Sequence, residues 1–189
     1  LETIGRMIRG IACQAASLRC SIANAASLMS SMVTRLRRHR LLREYFEALM
    51  TPERRGQLKG GEAGGEAYRA LVRQLGTDGK LGTGWPKEWG GQGRTPLEQY
   101  LFYDEANRAG VPLPLVTLNT VGPTLMLYGS DEQKEHFLPQ ILAGELHFAI
   151  GYSEPGAGTD LASVSTRAVR DGDDYVINGQ KVFTTGGHD

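Results

Sequence analysis

Cysteine is nearly missing from this sequence: Cys13 and Cys20 are the two that 189 residues contain. Seven positions apart and with no neighbouring ligand pattern, they support neither a disulfide framework nor a zinc site. No apolar run is long enough to cross a bilayer as a helix. Nor is one sign of charge in excess. The 21 basic and 21 acidic side chains cancel, which argues against nucleic acid as the main partner. What remains, with 40% hydrophobic residues, is the composition of a soluble protein with room for two modest domains.

The neutral total hides an asymmetry, because residues 1–40 hold seven arginines and one glutamate. Within this arm, Ile11 to Val33 is rich in Ala, Ser, Leu and Met between Arg-rich flanks, and a helix is expected there. Serines, arginines and a shortage of acids give it the composition of an organellar transit peptide. A start placed elsewhere, an upstream fusion or a family-specific extension are the other readings.

From Leu41 the pattern becomes helical. Leu42, Tyr45, Phe46 and Met50 fall at near-helical spacing, and Thr51-Pro52-Glu53 opens a further segment. A glycine-rich linker, Gly60 to Gly65, precedes a helix in which Leu71, Val72 and Leu75 share a face. Thr95-Pro96-Leu97-Glu98 is a capping box with proline at the first helical position, so a helix should run from Thr95 to about Gly110. Ser130 to Gln133 repeats that logic, with Pro139 and Gly144 expected to break the helix that follows. Between them, Leu118 to Met126 mixes apolar with small and hydroxyl residues, which ordinary helical core also does.

The run from Ile150 to Thr185 changes character. Ile150 and Tyr152 lie on one side of an extended chain, and Pro155-Gly156-Ala157-Gly158 must turn it. Glycines at 156 and 158 permit positive φ and close approach of main-chain N–H groups to an anion, while the hydroxyls of Ser153 and Thr159 bracket the loop. A tight turn between elements is the plainer reading of the glycines alone. Strands are expected near 147–153, 163–170, 174–177 and 180–185, with turns at Asp171-Gly172 and Asn178-Gly179.

The ordered set S-E-P-G-A-G-T-D, from Ser153 to Asp160, then T-R-A-V-R-D-G-D-D-Y-V-I-N-G-Q-K-V-F-T-T-G from Thr166, resembles the middle-domain signature of the acyl-CoA dehydrogenase family. The likeness extends upstream through Gly84-Trp85-Pro86-Lys87-Glu88-Trp89-Gly90-Gly91-Gln92-Gly93 and Gly129 to Lys134, covering roughly Leu41 to the last residue. It implies an α+β fold: a basic extension at 1–40, an N-terminal α-helical domain at 41–146, and an incomplete antiparallel β-barrel at 147–189, without the family's C-terminal helical bundle. FAD is the implied cofactor, with Ile150, Tyr152 and Ser153 along the isoalloxazine, and Gly158 and Thr159 at the pyrophosphate or the CoA portion of a thioester. Phe183 would shield a flavin face where the family commonly has tryptophan, and Thr185 would hydrogen-bond nearby. The helix bearing Asn119, Thr120 and Pro123 would line the acyl slot, Thr159 being the fourth implied substrate residue.

The implied reaction is oxidation of an acyl-CoA thioester to the 2,3-enoyl-CoA, as in fatty acid β-oxidation, with an electron-transfer flavoprotein as acceptor and a homo- or hetero-oligomer as the assembly. The expected location is the cytoplasm, or the mitochondrial matrix if residues 1–40 are a transit peptide. Such a reaction needs a base for the α-proton and an acceptor for the β-hydride. The family's base is a glutamate in a later helical domain, so no catalytic residue is assigned within these residues. Glu154 precedes a proline, Asp160 suits a cap, and His136 and His147 suit packing or solvation. Two classes of function stay open: a dehydrogenase whose chain is C-terminally incomplete and inactive alone, or a non-catalytic partner chain without independent flavin binding.

Overall fold

The computed structural model describes residues 37, 39–58, 64–185 and 187; the expected helix over Ile11–Val33 and most of the glycine linker lie outside the described residues. The first helix among the described residues, α1, covers 39–49. α2 (Pro52–Gln57) starts at Thr51, whose hydroxyl accepts the Arg54 N–H. α3 (Gly65–Thr77) buries Tyr68, Leu71, Val72 and Leu75, the face that the spacing predicts. A 3-10 turn at Lys87–Trp89 leads to α4 (Pro96–Ala109), which carries the complete Thr95–Glu98 capping box and stops at Gly110 in the left-handed region. α6 (Asp131–Ala143), below, has the same design, from a Ser130–Gln133 box to left-handed Gly144. These boxes satisfy main-chain donors that a helix N-terminus otherwise leaves unpaired.

Pro139 does not break α6. The proline removes one donor, that for the Glu135 carbonyl; both residues are exposed, so water can take that place. The segment before it holds a larger surprise. Thr117–Val121 is a π-helical turn running directly into α5 (Gly122–Tyr128).

The helices enclose one core, in which Phe46, Leu71, Val72, Leu75, Phe102, Leu138 and Ile141 are almost fully buried. Phe46 and Phe102 join α1 to α4, with ring centroids 5.3 Å apart. Glu105 is the acid inside this region. Its carboxylate pairs with Arg43 Nη2 and His39 Nδ1, each at 2.9 Å, and so fastens α4 to α1.

The β portion is smaller than expected. β1 (Arg167–Asp171) and β2 (Asp174–Asn178) form a two-stranded antiparallel sheet in which Ala168 faces Ile177 and Val169 faces Val176, around a turn at Gly172. All ten strand residues are exposed. β1 begins at Arg167 rather than near 163, because the N–H groups of Ser165 and Thr166 are donated to the Glu154 carboxylate instead of to a neighbouring strand. Leu161–Ser163 is a 3-10 turn capped by Asp160. The strands expected at 147–153 and 180–185 shrink to one bridge, Ile150 to Thr185, plus a Val182 N–H bond to the Ser153 carbonyl at 3.0 Å. Phe183 explains the interruption: its φ of 55° puts it in the left-handed region, where a pleated ladder cannot continue.

Candidate flavin loop and acyl cleft

The loop after Ile150 is organised by a carboxylate. The Glu154 N–H donates to the Ala157 carbonyl at 2.7 Å and the Glu154 carbonyl accepts the Ala157 N–H at 3.1 Å, closing the turn across Pro155-Gly156. Its side chain is turned inward and buried. Oε2 accepts from the Ser165 N–H at 2.6 Å and the Ser165 hydroxyl at 2.9 Å; Oε1 accepts from the Thr166 N–H at 3.0 Å and Lys181 Nζ at 2.9 Å. The nearby Thr166 hydroxyl, the Ser165 N–H and the Lys181 ammonium hold this carboxyl far below the usual carboxylate range. The Thr166 Oγ1 acts by proximity, since it is buried and makes no hydrogen bond of normal geometry. Lys181 also donates to the Tyr152 carbonyl at 3.2 Å.

Around this clamp the proposed cofactor residues take different positions. Ile150 and Thr185 are brought together by their bridge, and Ser153 is half-buried beside Val182. Tyr152 and Phe183 present aromatic rings to the outside, Phe183 at 92% exposure. Gly158 and Thr159 lie on the exposed arc of the loop. One expectation needs correction: neither Gly156 nor Gly158 adopts positive φ, because the reciprocal Glu154–Ala157 pairing closes the turn without it. Their value is space. A Cβ built on either meets nothing within 4 Å. Open main chain, two outward aromatic rings and the hydroxyls of Ser153 and Thr159 fit a flat, anionic dinucleotide such as FAD.

The helical candidates lie elsewhere. Asn119 and Pro123 line an open cleft of about 740 Å³ together with Trp85, Trp89, Tyr100, Tyr103 and Met126. Thr120 is not part of that lining; its carbonyl accepts the Thr124 hydroxyl at 2.7 Å. The Tyr103 hydroxyl accepts from Gln99 Nε2 at 3.1 Å and donates to Asn119 Oδ1 at 2.7 Å, giving an apolar cleft one polar edge. None of the cofactor candidates borders this cleft. The stretches that carry the two sets are joined by Thr117, whose buried hydroxyl accepts the Phe148 N–H at 2.9 Å.

Sequence reasoning missed the roles of Glu154, Lys181, Thr117 and Tyr103. Their partners lie 11 to 31 residues away or, for Tyr103 and Asn119, across a turn, so no local spacing announces them. Asp160 behaves as expected, its carboxylate accepting the Ala162 N–H at 3.2 Å.

Comparison with known proteins agrees with this arrangement. Residues 37–145 match the acyl-CoA dehydrogenase N-terminal domain, and residues 149–189 the acyl-CoA dehydrogenase middle domain. Acyl-CoA dehydrogenase FadE29 of Mycobacterium tuberculosis is 62% identical over 148 residues, which are 78% of this chain and 38% of that protein. A chain of the ChsE4-ChsE5 complex from M. tuberculosis superposes with a TM-score of 0.75 at 59% identity, over 80% of this chain and 39% of that one. The Tcur3481-Tcur3483 steroid ACAD gives 0.74 at 58%, over 82% and 40%. The chain thus spans about two fifths of the length of these relatives. Two family domains in the family's order, over most of the sequence, settle its membership: the chain belongs to the acyl-CoA dehydrogenase family.

Proposed function

We propose that this chain supplies the helical and flavin-loop segments of an FAD-dependent acyl-CoA dehydrogenase that acts on a steroid-derived acyl-CoA within a heteromeric assembly and passes electrons to an electron-transfer flavoprotein. The observation that carries the reading is the likeness, at 58% identity, to the Tcur3481-Tcur3483 steroid ACAD. The open aromatic cleft beside Asn119 and Tyr103 is consistent with a bulky, mostly apolar acyl group. Bound FAD supplies the acceptor for the β-hydride.

The chain's own residues then have these tasks. Tyr152 and Phe183 pack on the flavin ring, the Ser153 and Thr185 hydroxyls bond its edge, and the main chain at Gly158 and Thr159 leaves room for the pyrophosphate or the CoA portion. Asn119 and Pro123, which line the cleft, border the acyl group. Neither loop carboxylate serves as the α-proton acceptor, since Glu154 is fully engaged and Asp160 caps a turn. A base contributed from outside this loop follows, and general-base help is worth ~10²–10⁴-fold.

Protein expressed from its native locus, with any subunit that co-purifies, tests the reading under anaerobic conditions. CoA thioesters with a steroid nucleus should bleach the flavin band, and straight-chain thioesters should bleach it more slowly. A flavin-loaded preparation that no acyl-CoA thioester bleaches would end the proposal.

A further inference from the structure

The Glu154 clamp ties together three stretches far apart in sequence. Its carboxylate reaches Ser165 and Thr166, which lead into β1, and Lys181, four residues before the Thr185 that bridges to Ile150. Lys181 in turn holds the Tyr152 carbonyl, while the Val182 N–H holds that of Ser153. Four donors on one buried carboxylate leave it little freedom to rotate or to accept a proton. The residues on either side are those proposed to touch the cofactor.

We propose that Glu154 is a positioning residue: joined to Lys181, it fixes the relative placement of Tyr152-Ser153 and Phe183-Thr185, and so the shape of the surface offered to the flavin ring. This rests on the flavin reading above. Without the carboxylate, the Ser165 and Thr166 N–H groups lose their acceptor and Lys181 keeps just the Tyr152 carbonyl. Glutamine cannot substitute, because each carboxylate oxygen faces a group that can only donate, the Ser165 N–H at Oε2 and the Thr166 N–H and Lys181 Nζ at Oε1, and its NH₂ must oppose one of them. The turn itself, made by main-chain bonds between residues 154 and 157, persists in that variant.

Glu154→Gln, Lys181→Met, Lys181→Arg and Gly158→Val are compared in protein expressed from its native locus. Glu154→Gln should weaken FAD binding by about tenfold or more, the scale of a lost charge-assisted hydrogen bond. At saturating FAD it should also alter the visible circular dichroism of the bound flavin and speed amide exchange at Ser165 and Thr166. Lys181→Met should show the same spectral change with a smaller loss of affinity, and Lys181→Arg should restore both. Wild-type affinity and circular dichroism in Glu154→Gln, alongside flavin loss in Gly158→Val, overturns the positioning role alone. Flavin retention by Gly158→Val overturns the flavin reading and this inference with it. Should Glu154→Gln fail to fold, a Lys181→Met protein indistinguishable from wild type in affinity and spectrum overturns the inference.

Discussion

Trp85 completes the main-chain hydrogen bonding of Leu118: its indole Nε1 donates to that carbonyl at 2.9 Å. The need arises from the π-helical turn. Gly122 N–H bonds the Thr117 carbonyl, five residues back. In that register the Leu118 carbonyl would look to residue 123, which is a proline without an N–H. Trp85→Phe keeps the ring and removes the donor, leaving a buried carbonyl unpaired. A loss of ~1–3 kcal/mol is expected. Chemical denaturation followed by circular dichroism measures it, and an unchanged midpoint would dismiss the account.

The same indole rests against the Cα of Gly122, where any Cβ would collide with its six-membered ring. Gly122→Ala should therefore cost ~1–3 kcal/mol by overpacking. Because the tryptophan is the obstacle, a Trp85→Ala, Gly122→Ala double variant should lose less than the two single variants added together. Strict additivity in that cycle would place the strain elsewhere.

Gly158 gives a cleaner probe of the loop than its neighbours. With no positive φ and nothing within 4 Å of its Cβ position, valine there should leave the melting temperature of the flavin-free protein unchanged. Flavin content should nevertheless fall, because the side chain occupies the approach to the main chain. A drop in thermal stability without FAD would show that the substitution acts on the fold.

Acid should loosen α1 from α4. Arg43 holds the Glu105 carboxyl below its ordinary value of 4.5. A folded pKa below the unfolded one means that stability is fully present above about 4.5 and is lost as pH falls from there through the folded value. Glu105→Gln should be less stable than wild type at neutral pH and should flatten this acid limb. Equal steepness between pH 5 and 3 in the two proteins would exclude Glu105 as the titrating group.

The hairpin predicts association. Val169, Tyr175, Val176 and Ile177 are exposed, Ile177 at 71%, on a two-stranded ribbon whose outer edges pair with no other strand among the described residues. Ile177→Lys should shift the 189-residue chain toward monomer in size-exclusion chromatography. A wild-type chain that already elutes as monomer at high concentration would contradict this.

How much of this the sequence foretold follows the range of the interactions. Helix boundaries were legible because Thr95 with Glu98, and Ser130 with Gln133, are local chemistry three residues apart. The buried face of α3 was legible from its period. Less was readable where distant partners decide: Ser165 and Thr166 look like strand until Glu154 takes their N–H groups. Phe183 looks like strand until its positive φ is seen. Pro139 reads as a helix breaker, yet sits on an exposed face where its cost is small. In the candidate site, motif order pointed to the loop, but it could not show that Thr120 lies off the cleft that Asn119 and Pro123 border.

The bond from Phe148 N–H to the Thr117 hydroxyl makes one amide a gauge of two neighbourhoods. Its proton belongs to the stretch leading into the candidate flavin loop, while its acceptor belongs to the irregular turn beneath Trp85. In a nitrogen-resolved NMR spectrum that single resonance should move when a ligand fills the cleft and also when one settles on the loop. Titrating both ligands while following it would read the thermodynamic conversation between them directly from the protein backbone.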